Sequence, residues 1–165
     1  MSTDEFFLAL LVGLGATLIL DIWATLLKII ARVQPTNWCV VGRWFCYMPS
    51  GAFTHANIMQ ASSKPFECAV GWIAHYLIGA IYGVILVAIV SSEWLAMPTL
   101  VPALLFGLAT MFFPLFVMQP SFGFGIASSK VPEPLVPRLK TLMGHTVFGV
   151  GMFLSALAIK LIGAA

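Results

Sequence analysis

The sequence predicts an all-α membrane protein, a four-transmembrane-helix bundle built from two similar hairpins. Three observations predict it. Hydrophobic residues make up 61% of the chain and charged residues only 8%, with a mean hydropathy of +1.02. A soluble domain carries about 25% charged residues because its core needs a solvated skin. Four apolar stretches reach the roughly 20 residues that cross a bilayer at 1.5 Å per residue. Nine of the ten prolines fall in the loops or in a first helical turn, where a missing backbone donor costs little.

The first span runs from Phe6 to Ile30, after the acidic start Met1-Ser2-Thr3-Asp4-Glu5. A secretory signal would open with positive charge and carry a shorter apolar segment, so this reads as a retained span. The first loop, Ala31 to Cys68, contains the segment Trp38 to Tyr47, too apolar for a solvated loop and too short to cross. It reads as a short interfacial or re-entrant helix, with Trp38, Arg43 and Trp44 in the headgroup layer, or as a cytoplasmic cap packed on the bundle. The second span, Ala69 to Val90, holds Gly79 and Gly83 at the G-x-x-x-G spacing that lets two helix backbones approach. After the short link Ser91 to Thr99 comes the third span, Leu100 to Met118, with Pro114 inside it. That proline frees the Thr110 carbonyl from its helical donor. A loop from Gln119 to Lys140 leads to the fourth span, Thr141 to Ile162. No polar interval can bury a second core, so residues 1–165 read as one integral membrane domain.

Orientation follows from the basic residues. Lys28, Arg32, Arg43, Lys64, Lys130, Arg138 and Lys140 lie on the side of the two long loops, and of the eight only Lys160 lies opposite. The expectation is both loops cytoplasmic and both termini outside. The three cysteines, Cys39, Cys46 and Cys68, fall on that cytoplasmic side, where thiols stay reduced. No C-x-x-C spacing signals a zinc or redox pair, and they read as small hydrophobes.

The two halves resemble each other. Span two carries Ala74-His75-Tyr76-Leu77-Ile78-Gly79 and span four Gly144-His145-Thr146-Val147-Phe148-Gly149, while Ala16-Thr17 and Ala109-Thr110 occupy comparable places in spans one and three. Two hairpins of equal orientation form a parallel repeat. The expected packing brings spans two and four together through Gly79, Gly83 and Gly149.

Ionisable groups within lipid are expensive and mark candidate functional sites. Asp21 lies two turns from Lys28, His75 two turns from Cys68, and His145 five residues from Lys140; all are about 8–10 Å in from the loop side. Thr17, Asp21, Thr25 and Lys28 share one helix face. The expected substrate or proton site is therefore Asp21, His75 and His145, with Thr17, Thr25 and Tyr76 beside them. Two other readings stay open: interhelical glue, and metal or haem ligation by His75 and His145. His55 reads as a solvated loop histidine. In the third loop, the stretch from Met118 to Lys130 offers glycines and serines whose backbone donors suit a lipid phosphate or an anion, but it lacks the ending of a nucleotide P-loop. No catalytic signature is present, and a formal charge of +2 gives no ground for nucleic-acid binding.

Gly42-Arg43-Trp44, Trp72-x-x-His75-Tyr76-x-x-Gly79, Met118-Gln119-Pro120, Gly123-x-Gly125-Ile126-Ala127-Ser128 and Gly144-His145-x-x-Phe148-Gly149 together resemble a bacterial family of small four-helix inner-membrane proteins known only as a domain of unknown function. The resemblance covers Gly13 to about Ala158 and implies four membrane helices in the inner (cytoplasmic) membrane, with no assigned activity. The site residues themselves carry the expectation of a protein that binds or conducts a small polar substrate or protons, with the lipid bilayer and further copies of itself as partners. The alternative is a structural or assembly subunit of a larger membrane complex. The cofactor is unknown.

Overall fold

A computed structural model describes residues 1–163. The chain is all-helical. Helix α1 (Thr3–Ala31) opens on a capping box, in which the Glu5 amide donates to Ser2 Oγ and the Ser2 amide to Glu5 Oε2. It closes at Arg32, which takes a left-handed conformation. Helix α2 (Trp38–Tyr47) is capped by Asn37, whose side chain accepts from the Cys39 amide. Helix α3 (Glu67–Val90) is followed by the one-turn α4 (Glu93–Ala96) and by α5 (Leu100–Ala109). Beyond α5 the third apolar segment continues through a π-turn at Pro114–Met118 into α6 (Gln119–Ser121). Pro114 supplies the cause: it cannot donate to the Thr110 carbonyl, which takes the Phe113 amide instead. Helix α7 (Leu135–Gly163) begins six residues before the expected fourth span. Among the described residues, Thr3–Ala31, Glu67–Val90, Leu100–Ser121 and Leu135–Gly163 are long and apolar enough to cross a membrane.

The chain forms two compact units. Unit one comprises Met1–Pro35, Tyr76–Ala109 and the chain from Gly144 on. Its core is made by Ala9, Val12 and Ala16 of α1, Leu86 and Val87 of α3, Ala103 of α5, and Phe148, Met152 and Ala156 of α7. Small residues form the seams. A Cβ on Gly13 would strike the Gly79 carbonyl, one on Gly83 the Ala9 carbonyl, and one on Gly107 the backbone of Gly149. These glycines therefore pack α1 on α3 and α5 on α7, which corrects the expectation that Gly79, Gly83 and Gly149 join spans two and four. That contact is aromatic instead: Tyr82 of α3 lies 6.1 Å from Phe148. A further seam sets Gly15 against Ser155 and Gly151 against Ala16.

Unit two comprises Thr36–His75 and Thr110–Met143. Here α2 lies on the first turns of α3, with Gly42 against the Glu67 carbonyl and Gly71 against the Trp38 carbonyl. Val40, Val41, Trp44, Ile58 and Phe122 form its core. Trp44 is buried among them and donates from Nε1 to the Phe53 carbonyl at 2.8 Å. Arg43 makes a bidentate ion pair with Glu67 (2.8 and 2.9 Å) and donates to the carbonyls of Ile58 and Ala61. Protein acceptors thus take the donors of both Arg43 and Trp44.

Candidate functional site

The groups expected to form one polar layer each take a different partner. Asp21 accepts from the Tyr76 hydroxyl at Oδ2, 2.9 Å away, joining α1 to α3. Helix α1 supplies the carboxylate on the turn after Thr17, and α3 supplies the phenol three residues before Gly79, where the two backbones approach closely. Thr17 is fully buried, donates to the Gly13 carbonyl and covers Gly79. Thr25 donates to the Asp21 carbonyl on its own helix. The stripe read along α1 therefore ends in three different contacts.

His145 hydrogen-bonds the backbone of Gly107, across the seam between α7 and α5. His75 is buried and stacks on Trp38 with ring centroids 3.8 Å apart, while Trp72 meets its edge. Trp38 thus packs on a histidine of α3. Among the described residues there is no group of three or more His, Cys, Asp or Glu side chains placed to hold a metal.

His55 is only partly solvated: its ring meets the Tyr47 ring at a steep angle, and Nε2 is buried with no hydrogen-bond partner among the described residues. In the third loop the amides of Phe124, Ser128, Ser129 and Lys130 bond carbonyls within the same stretch. The loop also builds a buried polar contact, Ser128 Oγ donating to Gln119 Oε1 at 2.9 Å. The spacing Gln119…Ser128 carries no motif that would have signalled it.

The cysteines also depart from expectation. Cys39 and Cys68 are joined in a disulfide, and Cys46 is free. Their 29-residue separation hides the pair from any short-spacing rule, and it is the glycine-lined approach of α2 to α3 that brings the two together. Under denaturing, non-reducing conditions one thiol per chain should react with a maleimide, and three after reduction. Three before reduction would refute the pairing.

Comparison with known families falls on the same residues. The family described as "Protein of unknown function (DUF2938)" matches residues 10–159. The chain belongs to this family. That stretch takes in all of the candidate site residues named above. No curated protein and no solved structure matches the chain, so DUF2938 membership brings the fold's sequence pattern without an activity.

Proposed function

We propose that this multi-pass membrane protein binds a proton or a small polar solute at the Asp21–Tyr76 pair and moves it through the bilayer. The observation that carries the reading is the 2.9 Å hydrogen bond between Asp21 Oδ2 and the Tyr76 hydroxyl, set between two apolar helices. A carboxylate at the centre of a membrane helix costs about 2.5–3.5 kcal/mol on insertion scales. A phenol hydroxyl offsets part of that cost and can be exchanged for a proton or for a donor on a passing solute. His145, on the Gly107 backbone, and His75, against Trp38, are further groups able to carry protons.

Liposomes loaded with a pH-sensitive dye test this directly. Purified wild-type protein should dissipate an imposed pH gradient, while Asp21→Asn, which keeps the size and one acceptor, should not. Tyr76→Phe should fall between them. If both variants and empty liposomes match the wild type, the pair is only helix glue, worth about 0.6 kcal/mol for an average membrane hydrogen bond. That second reading is favoured by the separate partners already found for Asp21, His75 and His145.

The same proposal takes the membrane to be a bacterial cytoplasmic one, with both long loops inside. The Cys39–Cys68 pair pulls the other way, since disulfides persist in oxidising compartments. Charge should prevail, because orientation is fixed at insertion, before α2 and α3 pack and the thiols meet. The disulfide is then open to reduction by cytoplasmic dithiols. An impermeant maleimide added to intact cells should leave Cys46 unlabelled, and labelling there would invert the topology. The parallel repeat is part of this reading, supported by the like pairing of Gly13 with Gly79 and of Gly107 with Gly149. So is assembly with further copies or a larger complex, for which the exposed apolar side chains Leu11, Leu18 and Ile22 of α1 are available.

A further inference from the structure

Unit two contains a cavity of about 190 Å³ between the first turns of α2 and the turn that follows the third apolar segment. Its walls are Val40, Val41, Phe122 and Phe124, and its polar point is the Gln119–Ser128 pair. Thr36 and Met59, both exposed, stand at its mouth. None of the residues lining it carries a charge.

The polar point is built with care. Gln119 is 7% exposed and Ser128 1%. The Ser128 hydroxyl occupies the carboxamide oxygen, so on this cavity-lining residue the carboxamide nitrogen is the group left to donate. To bring Ser128 to this place the backbone takes left-handed conformations at two successive non-glycine residues, Ala127 (φ 49°) and Ser128 (φ 59°). Arg138 fixes the turn by donating from Nε to the Ala127 carbonyl at 2.7 Å. Strain of this kind persists where the surroundings over-determine it, as at ligand clamps.

We propose that this cavity binds an uncharged, lipid-soluble group, about the size of one six-membered ring, that presents a carbonyl oxygen to the Gln119 amide. Size sets the first term, since a cavity of about 150 Å³ already accommodates benzene. The uncharged lining sets the second, because an ion brought here would lose its hydration with no counter-charge in return. The amide donor sets the third. Two membrane-borne molecules share this chemistry, a quinone ring and the acyl ester of a phospholipid. The site uses none of the residues of the Asp21–Tyr76 pair and does not depend on that reading.

The test uses the full chain in detergent. A short-chain alkyl benzoquinone is titrated while tryptophan emission is followed; Trp44 lies 5.6 Å from Phe122, close enough to report occupancy. Phospholipid retained through delipidation is measured in parallel by mass spectrometry. Two variants are compared with wild type: Gln119→Leu, which removes the donor, and Thr36→Trp, which blocks the mouth from an exposed position and spares the core. Saturable quenching that weakens about tenfold in Gln119→Leu, the effect of one hydrogen bond, and is lost in Thr36→Trp assigns the site to a quinone. Retained phospholipid that both variants shed, with no saturable quenching, assigns it to a lipid ester. Should Gln119→Leu fail to fold, Thr36→Trp alone decides. Wild type and Thr36→Trp behaving alike in both assays overturns the proposal.

Discussion

Arg43→Ala should destabilise the protein by about 3 kcal/mol, at the low end of the range for breaking a buried ion pair from one side. The guanidinium is a hub. It grips both oxygens of Glu67 at the start of α3 and reaches the carbonyls of Ile58 and Ala61 in the first loop. Glu67 in turn accepts the Lys64 amide at 2.8 Å. The two side chains are 15% and 12% exposed, so solvent screens the pair only weakly. Removing the cation strands Glu67 and leaves two loop carbonyls to find water. Arg43→Lys should recover little, because a point charge cannot match the two-pronged geometry. The double variant Arg43→Met, Glu67→Met should lose less than either single change, since no uncompensated charge remains. Thermal unfolding in one detergent provides the measurement. A loss below about 0.5 kcal/mol for Arg43→Ala, typical of an exposed pair, would show that the hub does not hold α2 to α3.

Much of this architecture could be read from composition, and the reason is physical. A bilayer imposes one length and one polarity on every crossing helix, so the apolar runs from Phe6, Ala69, Leu100 and Thr141 announced themselves. Boundaries shifted only where local chemistry intervened. Leu135–Lys140 joins α7 because Pro137 sits near its N-terminus, where the missing donor is no handicap. The site was less legible. Depth along a helix is a one-dimensional quantity, and it placed Asp21, His75 and His145 at a common level without specifying their partners. The Tyr76 hydroxyl, the Gly107 backbone and the Trp38 ring are choices made by helix rotation and by loop packing. Likewise Trp44 and Arg43 carry the composition of an interfacial segment, yet the fold turns both toward protein acceptors. Gln119, Ser128 and the Cys39–Cys68 pair are joined by tertiary packing alone, so no local spacing in the sequence marks them.

Gly107→Leu and Gly79→Leu should each abolish the folded protein, observed as loss of the monodisperse peak in detergent and of the cooperative unfolding transition. Between membrane helices the driving force is close packing, since lipid tails are as apolar as the side chains they would replace. The glycine seams supply that packing. A Cβ at Gly107 would lie 2.7 Å from both the Gly149 Cα and the His145 carbonyl oxygen, and one at Gly79 would strike the Thr17 hydroxyl. At Gly107 the obstacle is backbone, which cannot turn aside as a flexible side chain would. Overpacking commonly costs about 1–3 kcal/mol; here even Gly107→Ala should reach the upper end, and leucine should exceed it. The change would also pull the Gly107 backbone from His145. Two glycines serve as controls. A Cβ on Gly144 meets only the Leu20 side chain at 3.8 Å, and one on Gly163 meets nothing within 4 Å. Gly144→Ala and Gly163→Ala should therefore leave stability unchanged or raise it slightly through helix propensity. If Gly107→Ala and Gly144→Ala proved equally mild, α5 and α7 would not be in backbone contact, and the seam that defines the second hairpin would be wrong.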